Sequence, residues 1–371
     1  MNNKPLFIFG NGLSIALSPE FSLKTITEKF INSLEGYEKE FLEGISTPQG
    51  VLSFDDFEQN FTSIEAALSS LIRYRFFLDS PVGTSFLKQF SLHNPDLIDH
   101  EIIIKTIYRK YIARILELIH GNVKKSQIEQ RLHNFKTFLA STLNESTKSY
   151  IFTLNYDLLI ETILLDTIGS NEFTDFCFPS GNCKLTGLPK FDFNPRRSFE
   201  MFPTAASIEL HHLHGSLSLF YDLTRNRAFK FSSEDIGLND LYQRIYKEDL
   251  PLVPAIITGG GKSEKIVEYP FDWYYRTLKD IVDSGDTTSL YIIGYSFRDI
   301  HINDLIARWM RNVTDYSTGL LIVDYKADKD SQKNFISFVK KSLHKRSLAE
   351  SCFEFRGANY LHRVEGTTKK D

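Results

Sequence analysis

Cysteine is scarce: Cys177, Cys183 and Cys352 are the three in 371 residues, and no two stand in a Cys-x-x-Cys pair. That excludes a disulfide framework and a zinc ribbon, and makes a reducing cytoplasm the expected compartment. A basic excess is missing too. Lysine and arginine number 43 against 47 acidic residues, a formal charge of −4. Such a chain has no electrostatic footprint for a polyanion, so direct nucleic-acid binding is not expected. No apolar run approaches the roughly 18 residues of a membrane span. Leu6 to Phe9 is likewise far too short for a signal-peptide core, so neither span nor leader is expected. What is present is 42% hydrophobic residues, enough to bury a sizeable core.

Leu6-Phe7-Ile8-Phe9 is fully apolar and closes on Gly10-Asn11-Gly12, the pattern of a buried parallel strand ending in a glycine turn. From about Ser22 to Asn144 the spacing becomes amphipathic, as in Phe57, Phe61, Ile64, Leu68, Leu71 and in Ile102, Ile103, Ile107, Tyr111, Ile115, Leu118. This predicts a mainly helical block over about 22–145, inserted after the first strand. Strand character returns at Ser149–Leu154, Ile208–Leu213, Leu252–Thr258, Leu290–Ile293 and Leu320–Val323, with helical stretches at Leu158–Ile168 and Ile302–Val313. The fold class is therefore α/β: a Rossmann-like, mostly parallel sheet with helices on both faces and a large helical insertion after the first strand. Thr174–Thr204, carrying Pro179, Pro189, Pro195 and Pro203, reads as a long irregular insertion.

Four segments sit where strands end, which is where α/β sheets bind ligands. In Phe9-Gly10-Asn11-Gly12-Leu13-Ser14 the glycines let backbone approach a pyrophosphate, and a tight turn without a ligand explains the same residues equally well. The third glycine of Gly-x-Gly-x-x-Gly is absent, Ile15 standing in its place, so the dehydrogenase fingerprint is not met. In Thr153-Leu154-Asn155-Tyr156-Asp157 the amide of Asn155 can orient a water or a hydroxyl; Asp157 can equally be a helix cap and Asn155 a turn residue. In His211-His212-Leu213-His214-Gly215-Ser216, strand alternation sends neighbours to opposite faces and no carboxylate or cysteine stands close by to complete a metal shell. His214 is the better candidate, a base near neutral pH with Gly215 giving a ligand access; a core-satisfied histidine is the plain alternative. In Gly294-Tyr295-Ser296-Phe297-Arg298-Asp299, Gly294 and Ser296 can touch a phosphate or ribose and Asp299 can cap the next helix, while Asp324 follows another strand as a ribose acceptor or a solvated turn. Gly259-Gly260-Gly261-Lys262-Ser263 is not a P-loop, because that motif needs glycine where Ile256 stands.

Taken in order, these segments resemble the sirtuin superfamily, specifically the zinc-free, sirtuin-like NAD⁺ hydrolases of bacterial antiphage defence systems. Gly10-Asn11-Gly12-Leu13-Ser14 is similar to the family's Gly-Ala-Gly-x-Ser loop, Thr153-Leu154-Asn155-Tyr156-Asp157 to its Thr-Gln-Asn-x-Asp element, His214-Gly215 to its catalytic His-Gly pair, and Gly294-Tyr295-Ser296 to its Gly-Thr-Ser loop. Protein-deacylating sirtuins carry two Cys-x-x-Cys pairs after the histidine and a Pro-Asp-Phe-Arg segment after the first loop; this chain has neither.

The resemblance implies NAD⁺ as substrate without a metal, and cleavage of the nicotinamide–ribose bond by Asn155, His214 and Asp157. It implies binding of NAD⁺ through Gly10, Asn11, Gly12, Leu13, Ser14, Thr153, Gly294, Ser296 and Asp324. ADP-ribosyl transfer, or a non-catalytic module sensing NAD⁺ or ADP-ribose, are the alternatives. A defence role further implies activation by homo-oligomer assembly or by a separately encoded sensor or ATPase. The expected domains are a catalytic domain over 1–330 and a C-terminal extension over 331–371, packed on the core or on a partner.

Overall fold

The computed structural model describes residues 3–34, 36, 39, 123–194, 206–232, 241, 252–257 and 266–361, apart from 185, 223, 224, 226, 314, 315 and 346. The first strand, β1 (Pro5–Phe9), is buried along its whole length. Its side chains alternate between two cores: Phe7 and Phe9 face one, Leu6 and Ile8 the other. A strand dry on both faces is a central strand of a parallel sheet, and the continuous apolar run is its signature.

After β1 come α1 (Asn11–Leu17), α2 (Leu23–Asn32), α3 (Lys125–Arg131) and α4 (His133–Asn144). The described parts of the predicted helical block are thus helical; the repeats through Phe57 and Ile102 lie outside the described residues. Next follow β2 (Ser149–Thr153), α5 (Leu159–Thr167), β3 (Phe173–Thr174), β4 (Cys177–Asn182), β5 (Pro189–Phe193), β6 (Ile208–His212), β7 (Gly215–Asp222), β8 (Arg227–Phe231) and β9 (Leu252–Ile256). The chain continues with α6 (Phe271–Ser284), β10 (Ser289–Ile293), α7 (Ile300–Asn312), α8 (Tyr316–Gly319), β11 (Leu320–Val323), α9 (Lys329–Ser342) and β12 (Phe353–Glu354).

Seven strands form one parallel sheet in the order β12-β11-β10-β1-β2-β6-β3. From β1 the chain builds outward to β2 and β6, then returns to β1's other side for β10, β11 and β12. That reversal is the topological switch of a Rossmann-like fold, and it opens a crevice at the C-terminal ends of β1 and β10. Helices cover both faces: α1, α4 and α5 share a core with Phe7 and Phe9, while α6, α7 and α9 pack over Leu6 and Ile8. β12 makes the sheet's outermost strand, so the stretch beyond 330 supplies an edge of the main sheet. Among the described residues, no helix is long and apolar enough to cross a membrane.

A second sheet corrects two expectations. Cys177–Asn182 and Pro189–Phe193 belong to an antiparallel sheet in the order β4-β5-β8-β7-β9, where an irregular insertion was predicted. Two of the four prolines that suggested irregularity, Pro179 and Pro189, are placed where strands tolerate them, as is Pro254, while Pro195 and Pro203 lie outside the described residues. Pro179 lies on the edge strand β4 beside a bulge, Pro189 is the first residue of β5, and Pro254 is on the other edge strand, β9. β9, predicted from Leu252–Thr258 for the parallel sheet, pairs instead with β7 in this second one.

Lys230 of β8 ties the second sheet to the first. Its ammonium reaches the carboxylate of Glu161 on α5 at 2.5 Å and that of Asp175, with its side chain only 9% exposed. Burial alone would strip its proton, but the two carboxylates more than reverse that and hold Lys230 firmly charged. Removing one partner of a buried pair strands the others. Lys230→Met is therefore expected to cost about 3–5 kcal/mol, read as a lower urea midpoint, with much of the loss recovered when Glu161 and Asp175 are also made apolar. An unchanged midpoint for the single variant would show that water already screens this cluster.

Candidate functional site

The C-terminal ends of four adjacent strands, β10, β1, β2 and β6, lead respectively to Gly294, Gly10, Asn155 and His214. Pairing runs past the strands themselves: Gly10 N–H donates to Ile293 O at 3.0 Å, Leu154 N–H to Phe9 O at 2.9 Å, and Leu213 N–H to Thr153 O at 2.9 Å. The candidate residues are thus held on a rigid edge.

The two glycine loops lie directly against each other. Gly12 N–H donates to Gly294 O at 2.8 Å. A Cβ on Gly10 would meet Gly294 O at 2.6 Å, and one on Gly294, whose φ is +67°, would meet Leu13 N at 2.3 Å. Backbone contact between loops therefore accounts for these glycines. Nearby, Asn11 is exposed and donates through Nδ2 to Phe21 O at 3.1 Å, Leu13 is buried in the core, and Ser296 is exposed.

Ser14, fully buried, joins this loop to the end of β2. Its hydroxyl accepts from Asn155 Nδ2 at 2.9 Å and donates to Asp157 Oδ2 at 2.5 Å. Asn155 Nδ2 also donates to Gly10 O at 2.9 Å. A carbonyl can only accept, so this contact sets which end of the amide is nitrogen. Asn155 Oδ1 is then left buried with no hydrogen-bond partner among the described residues. Thr153 Oγ1 accepts from Asn155 N–H at 3.0 Å and fixes the backbone beneath. Asp157 Oδ1, from one position before the cap Leu158, accepts at 2.9 Å from the N–H of Leu159, the first residue of α5, and its other oxygen serves Ser14.

His214 follows β6 and is 6% exposed. Its Nε2 lies 3.3 Å from Asp299 Oδ2, a pairing that motif reading missed. Asp299 was legible as a helix cap, and its Oδ1 does accept from His301 N–H at 3.1 Å at the start of α7. A capping carboxylate keeps a second oxygen, and only the fold shows where it points. Gly215, expected to give a ligand access, is required by the approach of β9: at φ +83°, its Cβ would lie 1.8 Å from Ala255 O.

The other two histidines face opposite ways, as alternation predicts. His211 stacks on Phe152 with ring centroids 4.3 Å apart. His212 is buried on the other face, where burial first, and Lys230 second, lower its pKa to about 3. Asp324 stands at the end of β11, two strands from β1, its carboxylate held by Lys326 at 2.6 Å and by Tyr325 N–H at 2.8 Å.

Residues 149–347, more than half of the 371, match the model of the SIR2-like domain family. The chain belongs to the SIR2-like family. SIR2-like domains bind NAD⁺, and membership makes this an NAD⁺-using protein in that general sense. No curated protein matches the chain. The family match begins at β2, so the first glycine loop lies outside it and is tied to the SIR2-like core by the bonds of Gly10 and Ser14 to Asn155. The residues fit NAD⁺ on an observation of their own: Asn155 Oδ1 is a buried acceptor that a ribose hydroxyl or a held water would satisfy.

Burial raises the pKa of Asp157 above its ordinary value, and the Ser14 hydroxyl partly offsets this. The native state therefore holds this proton more tightly than the unfolded chain. That contribution to stability is complete below the unfolded-state pKa and is lost as pH rises through the native one. Ser14→Ala removes the offset, so the variant is expected to lose about 1–3 kcal/mol near pH 8 and less near pH 4, read by urea unfolding at both. A loss that does not vary with pH would mean that Ser14 does not tune Asp157.

Proposed function

We propose that the protein hydrolyses NAD⁺ at the nicotinamide–ribose bond, releasing nicotinamide and ADP-ribose. The observation that carries this reading is the pairing of an unsatisfied buried acceptor, Asn155 Oδ1, with a histidine on the next strand end. NAD⁺ brings a nicotinamide that is already cationic and leaves with the bonding electron pair, so the reaction calls for positioning more than for acid assistance.

Asn155 acts through Oδ1, accepting from the ribose hydroxyl or from the attacking water, while Ser14 and Gly10 O keep its amide from turning. As the water oxygen bonds to the ribose carbon, its proton passes to His214, directly or through a ribose hydroxyl. Asp157 positions its neighbours: its hydrogen bonds to Ser14 and Leu159 support that role. The Gly10–Ser14 loop, Thr153, Gly294, Ser296 and Asp324 hold the rest of the molecule along the strand ends. The missing cysteine pairs favour hydrolysis over deacylation, because a zinc module would form part of an acyl-peptide groove. The role in antiphage defence, with control by self-assembly or by a separately encoded sensor or ATPase, rests on the family resemblance.

Asn155→Ala and His214→Ala are each expected to slow NAD⁺ consumption by about 10²–10⁴-fold with a cooperative urea transition retained. Chromatography of the products should show free ADP-ribose and nicotinamide. Label retained on protein would replace hydrolysis by ADP-ribosyl transfer, and tight NAD⁺ binding without turnover, with and without the products of neighbouring genes, would leave a sensor.

A further inference from the structure

His214 is held by a contact from the far side of the crevice. Asp299 is 5% exposed and lies at the N-terminus of α7, which follows β10, whereas His214 follows β6. Between those strands stand β1 and β2, so the 3.3 Å contact of His214 Nε2 with Asp299 Oδ2 spans the crevice edge from one side of the switch point to the other.

The carboxylate is held from several directions. His301 and Ile302 N–H donate to Oδ1 at 3.1 and 3.4 Å. The Tyr295 hydroxyl is 3.0 Å from the Asp299 carbonyl and 2.9 Å from Asn303 Oδ1, and Asn303 Nδ2 donates to Phe297 O at 2.8 Å, which locks the loop that carries Asp299. From α6, the buried Tyr275 hydroxyl stands beside the same carboxylate. Burial and the Asp299 charge hold Tyr275 and Tyr295 protonated. Two neutral phenols thus stand by the carboxylate among the described residues. A helix cap alone needs one carboxylate oxygen, and the other is aimed at the histidine.

We propose that Asp299 is a positioning residue for His214: its carboxylate accepts from Nε2–H, fixes that tautomer, turns the ring, and leaves Nδ1 as the nitrogen that takes the proton. A carboxylate beside an imidazole also favours its charged form, so His214 is the stronger base for the contact. The inference deepens the hydrolase reading and rests on it for its catalytic meaning, while the pairing itself can be measured without turnover.

The test uses full-length protein carrying ¹⁵N-labelled histidine, with the His214 signal identified by its loss in His214→Gln. In the wild type the neutral ring is expected to be protonated on Nε2. Its titration midpoint should lie about one pH unit or more above that in Asp299→Asn, a variant that keeps the helix cap because asparagine caps as well as aspartate. In kinetics, Asp299→Asn should lower kcat roughly 10- to 1,000-fold with KM changed far less, and should displace the acid limb of the kcat–pH profile. The same tautomer and the same midpoint in both proteins would overturn the proposal, whatever the kinetics. Should the wild type fail to cleave NAD⁺, the hydrolase reading falls and the titration still decides the pairing.

Discussion

The site depends on one contact without side chains, the meeting of the loop after β1 with the loop after β10. Gly10, Gly12 and Gly294 bring backbone to backbone so closely that a methyl group on any of them would collide with main-chain atoms at 2.3–2.8 Å. Backbone cannot be displaced as a flexible side-chain tip can, so the approach is available only to glycine. It sets the starting point of α1 and hence the position of Ser14. From there the order passes by hydrogen bonds, Asn155 to Ser14 to Asp157, into the end of β2 and the start of α5. The glycines thereby position Asn155 at one remove.

His214 has a different kind of support. Its carbonyl accepts from Ile257 N–H at 2.8 Å just past β9, and its side chain meets Asp299 at the head of α7. The residue that follows, Gly215, opens β7, so the histidine stands where the parallel sheet gives way to the antiparallel one. The segment after His214, where the family resemblance leads one to look for zinc-binding cysteine pairs, contains β7 and β8 of the second sheet. Lys230, charged between Glu161 and Asp175, is the clamp that keeps that sheet on the first.

Much of this was legible in the residues because a parallel core writes itself in short apolar runs. β1, β2, β6, β10 and β11 fall within a residue or two of their predicted bounds, since strands buried on both faces are rich in Phe, Leu, Ile and Val. The strand ends followed, and with them the candidate residues. The antiparallel sheet was not legible. Its strands alternate less regularly, and its prolines read as breaks until edge and first-residue positions are known. α6 was not singled out either, although Tyr274, Leu278 and Val282 recur along it at a four-residue spacing. The His214–Asp299 contact joins residues 85 apart, and no local pattern records where the second oxygen of a cap will point.

The place of β1 in the sheet also sets an order in time. β1 is central, yet one of its two neighbours, β10, begins only at Ser289, so a chain leaving the ribosome must carry this apolar strand half-covered until β10 has been made. The same holds for the site: Ser14 waits for Asp157, and His214 waits for Asp299. The candidate site is thus assembled from segments far apart in the sequence, and its closing contact cannot form before α7 has been made.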